Sequence, residues 1–238
     1  MSISCSTALR RGAVTCLLMI VGSASVAASW PVYRGRQWLC HYYEKPAPDQ
    51  FVPAIFELSR NNYFAMPGHT TLGIGFIASV LRQNPDRIDD WMLQCRPLPE
   101  SERRLLIAAL WYAGHPKGES YLDYYAENIV DAEMATRLRT VMTRPVSFEE
   151  VEIRSLSSLY LQWGVFLATG DEAVLIDVLA AADTLPDIGI KERWWLACAA
   201  AEHRSVVSWC EAAVARDPDN VAGIAQLILN AGAVAQTE

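Results

Sequence analysis

Residues 148–185 read FEEVEIRSLSSLYLQWGVFLATGDEAVLIDVLAAADTL. Apolar residues recur along this stretch at helical spacing, Gly170 breaks the run, and Asp171 restarts it. Glycine suits the left-handed residue that ends a helix, and aspartate is a favoured N-cap because its carboxylate accepts the free N–H groups of the first turn. The stretch therefore predicts one long helix ending at Gly170, a sharp turn, and a second helix beginning at Asp171. Ser147 and Glu150, three apart after Pro145, have the spacing of a capping box at the start of the first helix.

The same grammar extends in both directions. Downstream, GIKERWWLACAAAEH and RSVVSWCEAAVARD form a tight pair around His203-Arg204-Ser205, and PDNVAGIAQLILNAG closes the chain. Upstream, LPESERRLLIAALWYAGH is the clearest helix, with Glu100 and Glu102 at its positive end and Gly114 as terminator. Leu105 to Trp111 is apolar nearly all round, which predicts a central, buried helix. In PDRIDDWMLQC, Ile88, Trp91, Met92 and Cys95 share one face, directing Cys95 to the core. Strand-like alternation is nearly absent from residue 50 onward. The expected fold is all-α, an array of about ten antiparallel helices in a single domain over 50–238. Residues 29–49, with Pro46 and Pro48, read as irregular.

The opening segment MSISCSTALRRGAVTCLLMIVGSASVAASW has the build of a secretory signal peptide. Arg10 and Arg11 precede an apolar run from Gly12 to Val21, and Ser25, Ala27 and Ser29 supply small residues, predicting cleavage around Val26-Ala27-Ala28. The run is short of the ~20 residues a spanning helix needs, so the membrane is met only through this cleaved segment 1–28. The expectation is a periplasmic or secreted protein. Of 20 basic residues Arg10 and Arg11 leave with the signal, and the 27 acidic ones stay, so the remaining formal charge is 18 − 27 = −9. An acidic chain without a basic stripe is unsuited to nucleic acid. A hydrophobic content of 52% against 20% charged residues is that of a chain with a packed core.

Beyond the signal the cysteines are Cys40, Cys95, Cys198 and Cys210. They allow two disulfides in an exported protein, or four buried thiols. Cys198 and Cys210 are each six residues from Arg204, so antiparallel helices would bring them level; Cys40 with Cys95 follows by elimination. No close C-x2-4-C spacing is present and only His41 adjoins a cysteine, so neither a metal site nor a cofactor is expected.

The C-terminal part, residues 150–232, resembles a degenerate tetratricopeptide repeat. FLATGDEAV resembles the turn inside such a unit and EAAVARDPDN its end, with Ala213 five positions before Pro218. The turns at Gly170 and His203 lie 33 positions apart, against a period of about 34 for this repeat. The full repeat pattern is missing, because Trp163 and Gly164 are adjacent. SVLRQNPDR echoes the ending but reads as an ordinary helix–proline–helix corner. The resemblance implies an α-solenoid-like surface that holds a protein or peptide partner.

No H-E-x-x-H, G-x-S-x-G or phosphate-binding glycine loop occurs. Of His41, His69, His115 and His203, three fall at predicted turns or helix ends, where an imidazole meets water or caps a helix. His69, in MPGHTT beside Thr70 and Thr71, is the one candidate catalytic base. Trp194 and Trp195 are about a third of a turn apart on a helix, so one is core and the other is free for contact. Tyr121, Tyr124 and Tyr125 likewise exceed what one helical face can bury, and with the tryptophans they form the candidate binding set. The leading expectation is an exported binding or scaffolding protein recognising a protein or peptide. The others are a small hydrolase-like periplasmic enzyme using His69, and an envelope structural protein without a discrete site.

Overall fold

A computed structural model describes residues 34–128, 136, 151–216 and 223–235. Among them the chain forms eleven α-helices, short 3-10 turns and no strand. The helices are α1 (Arg34–Cys40), α2 (Phe51–Arg60), α3 (His69–Gln83), α4 (Ile88–Gln94), α5 (Glu100–Tyr112) and α6 (Pro116–Asn128). After them come α7 (Leu156–Thr169), α8 (Glu172–Thr184), α9 (Ile190–Ala201), α10 (Arg204–Arg216) and α11 (Gly223–Ala235).

α3 and α7 are the centre of the fold. They lie along one another, and α3 also packs against α5. Two glycines set how closely they meet. A β-carbon at Gly75 would collide with the Leu161 carbonyl oxygen, and one at Gly164 with that of Leu72. The backbones therefore touch where side chains would normally keep helices 8–10 Å apart. Around this contact Phe76, Ile77, Val80 and Leu81 on α3 are fully buried, as is Trp163 on α7. The expectation that α5 is central is corrected: it buries Leu105, Leu106, Ala109 and Leu110, while Ile107, Trp111 and Tyr112 remain partly exposed. Its apolar circumference exceeds what its neighbours cover.

The deciding hairpin has the local chemistry its residues dictate. Gly170 ends α7 at φ +69° and donates its N–H to Phe166 O at 2.7 Å; Asp171 Oδ1 accepts the Ala173 N–H at 2.9 Å. Gly114 ends α5 in the same left-handed conformation. The long first helix is shorter than expected. It begins at Leu156, and Ser155 and Ser158 make the capping box there. Before it, residues 151–154 lie outside any helix, consistent with the β-branched pair Val151 and Ile153. The box expected at Ser147 and Glu150 falls outside the described residues, as does the Pro218 break.

The segment expected to be irregular, 29–49, instead contains α1. Leu39 and Tyr42 are buried, and the Trp38 ring meets Tyr42, Phe51 and Phe76 edge-on at 5.1–6.1 Å. Tertiary burial of these side chains organises a stretch whose prolines suggested a loop. At the other end, α11 packs against α8, α9 and α10. Asp183 at the end of α8 caps it, its Oδ1 accepting Ile224 N–H at 2.9 Å. No described helix is long and apolar enough to cross a membrane.

The disulfide expectations are also corrected: Cys40, Cys95, Cys198 and Cys210 are all free thiols. Cys198 is exposed on α9 whereas Cys210 points into the core from α10, so equal distance from the turn does not make them face one another. Cys95 is buried where α4 ends, and Cys40 is half-buried at the end of α1.

Candidate functional site

Three remote pieces of chain meet at the end of α1. Residues 41–44 leave α1 and cross the α7–α8 turn, where Tyr43 N–H donates to Leu167 O at 3.3 Å. The Tyr43 ring lies against Gly170, where a β-carbon would come within 2.7 Å of it. Across from it stands the α9–α10 turn. Arg36 on α1 is tied to that turn through an ion pair with Glu202 at 2.7 Å.

A polar cluster forms at this junction. The Tyr43 hydroxyl is 2.8 Å from Ser205 Oγ, 3.1 Å from Glu44 Oε1 and 3.3 Å from His203 Nδ1. His41 Nδ1 is 3.3 Å from Glu44 Oε2, and the His41 and His203 rings are 5.5 Å apart. His203 is buried to 1% exposure, its ring packed on Tyr43, Trp163 and Phe166. Burial drives its pKa down to about 4, with His41 and Arg36 pushing the same way against Glu44. The ring is therefore neutral at neutral pH, with a nitrogen lone pair available. Burial, reinforced by Glu44 and opposed by the Ser205 hydrogen bond, raises Tyr43 to about 12, which keeps the phenol a proton donor.

Local spacing marks His203 only as a turn residue and leaves His41 in the segment read as irregular, so it does not report the cluster. Its two halves are some 160 positions apart, and no local spacing reports such a pair. The available signal was the predicted α9–α10 turn at His203, which lacked a partner to meet.

A separate cleft of about 680 Å³ opens between the end of α3, residues 151–153, α7 and α8. That volume is in the range of sites that hold small molecules or peptide side chains. Val151, Ile153, Val165 and Val174 supply apolar walls; Glu152, Asp171 and Asp177 bring carboxylates, facing Arg82 and Gln83 on α3. Glu152 is paired with Arg154. A smaller cleft of about 380 Å³ lies between α2 and α4, beside the Asp49–Arg87 ion pair.

The residues singled out from sequence scatter. His69 is 4% exposed at the start of α3, with its ring 4.3 Å from Tyr63 and 5.6 Å from Trp195. It lines neither cleft, and burial lowers its pKa to about 4. Thr70 donates to Phe64 O at 2.6 Å, a structural role. The tryptophans divide as helix geometry requires: Trp195 packs against Tyr160 and His69, while Trp194 is 43% exposed. Trp194 continues an exposed line on α9 with Ile190 and Cys198, at successive four-residue steps. Tyr121 packs against the core, and Tyr124 and Tyr125 belong to α6 with side chains outside those described. Neither tryptophan nor Tyr121 lines the larger cleft. Burial raises the Cys40 thiol to about 12 and those of Cys95 and Cys210 to about 11, and it also raises Cys198, the one exposed thiol among them.

Comparison with protein-family models, with curated proteins and with solved structures finds no match to this chain. The fold and the site's own chemistry carry the functional reading.

Proposed function

We propose that the chain is an exported all-α binding protein that holds a protein or peptide partner in the cleft over the α7–α8 hairpin. The observation that carries this reading is the cleft itself: apolar walls from Val151, Ile153, Val165 and Val174, bordered by Asp171 and Asp177. Such a lining suits an extended segment with an apolar side chain next to a lysine or arginine. The signal-like residues 1–28 support export to the periplasm or beyond. The hairpins α7–α8 and α9–α10, with turns at Gly170 and His203, support a degenerate tetratricopeptide-like origin for the surface.

The test is selection from a peptide library on the chain lacking residues 1–28, followed by affinity measurement. The expected ligands carry an apolar residue beside Lys or Arg, and Asp177→Lys weakens them at least ~10-fold, about 1.4 kcal/mol. Asp177 is exposed, so the reversal leaves the fold intact. Recovery of no such ligands, or ligands indifferent to Asp177→Lys, overturns the reading.

A further inference from the structure

We propose that His41, Glu44 and His203 form a binding site for a zinc-class divalent cation, joining the end of α1 to the α9–α10 turn. One ligand-type atom from each residue lies within 4.8 Å of the other two. Zinc bonds of ~2.0–2.1 Å at tetrahedral angles place neighbouring donor atoms ~3.3 Å apart. His41 Nδ1 and Glu44 Oε2 already stand 3.3 Å apart, the length of one tetrahedral edge. His203 Nδ1 is 4.0 Å from the other carboxylate oxygen, Glu44 Oε1, so the Glu44 carboxylate stands between the two imidazoles with one oxygen toward each.

The donor set selects the ion. Two imidazoles with one carboxylate suit zinc and its transition-metal neighbours, whereas magnesium and calcium require a shell of oxygens. The surroundings also hold the donors in place. The His203 ring is wedged among Tyr43, Trp163 and Phe166, and the Tyr43 hydroxyl donates to Glu44 Oε1 at 3.1 Å. Tyr43 is therefore a positioning residue, fixing a ligating carboxylate as outer-shell partners do in metal sites. The neighbouring guanidinium of Arg36 is neutralised by Glu202. His41 and Glu44 side chains are 42% and 41% exposed, so an ion can enter and its fourth position stays open to water or to a donor from a partner. The proposal rests on this cluster and is independent of the cleft.

The test uses a tag-free chain lacking residues 1–28, stripped with a chelator and titrated calorimetrically with zinc chloride. One equivalent of zinc binds and raises the thermal midpoint, while magnesium chloride at the same concentration does neither. His41→Ala and Glu44→Gln each weaken zinc at least ~10-fold. Both residues are on the surface, so the metal-free variants melt as the parent does, and a folding defect at His203 does not enter the test. Absence of zinc binding, or parental affinity in either variant, overturns the proposal.

Discussion

His69 shows what burial does to a residue that sequence alone offers as a base. Its ring sits between Tyr63 and Trp195, and its pKa falls to about 4. In an unfolded chain the same imidazole titrates near ~6.5. The folded value is the lower one, so the unfolded chain binds the extra proton. The stability gained by keeping His69 neutral is thus complete above pH ~6.5 and is lost as pH falls toward 4, by on the order of 3 kcal/mol. Urea melts across that range should give falling midpoints, with the His69 ring resonances unmoved until near the bottom of it. A folded-state midpoint near ~6.5 for that ring excludes the effect. The sequence placed His69 correctly at a break before a helix. Its inward direction depends on Tyr63 and on Trp195, the latter from α9, and helical periodicity says nothing about a covering residue so remote.

Between elements, the contact of α3 with α7 depends on having no side chain at two positions. Gly164→Ala inserts a methyl against the Leu72 carbonyl and should destabilise the protein by ~2–3 kcal/mol, the cost of overpacking a rigid backbone contact. Gly232→Ala in α11 is the matched control. Its β-carbon meets nothing nearer than Ala201 Cβ at 3.9 Å, so the change should stabilise by up to ~1 kcal/mol through helix propensity. Chemical denaturation of the two variants measures the contrast, and equal effects would mean that α3 and α7 are not in backbone contact. Local signals such as Gly170, Asp171 and Gly114 were legible because each acts on its own turn. The pairing of α3 with α7 was not, since glycine within a helix reads as a weak helix former until the opposing backbone is known. α1 was missed for the converse reason, because Pro46 and Pro48 after it outweighed the apolar anchors Leu39 and Tyr42.

At the scale of the molecule, the all-α class followed directly from periodicity, whereas the redox state followed from side-chain directions that sequence spacing does not report. In the folded chain lacking residues 1–28, a thiol reagent should label Cys198 alone, with Cys40, Cys95 and Cys210 reacting only after denaturation without reductant. Four unreactive cysteines in the denatured, unreduced chain would restore the two disulfides. The junction at the end of α1 has a consequence for how the chain is made. Arg36 finds Glu202 only after 166 further residues, and Tyr43 waits almost as long for Ser205. Closing so long a loop costs entropy before any contact rewards it, which slows folding. Gly35 and Trp38 on α1 find Glu57 and Ala47 close by in sequence, whereas Arg36 and Tyr43 wait for the α9–α10 hairpin. Contacts of this span close late, so the junction works as a clasp between the beginning of the fold and the α9–α10 hairpin.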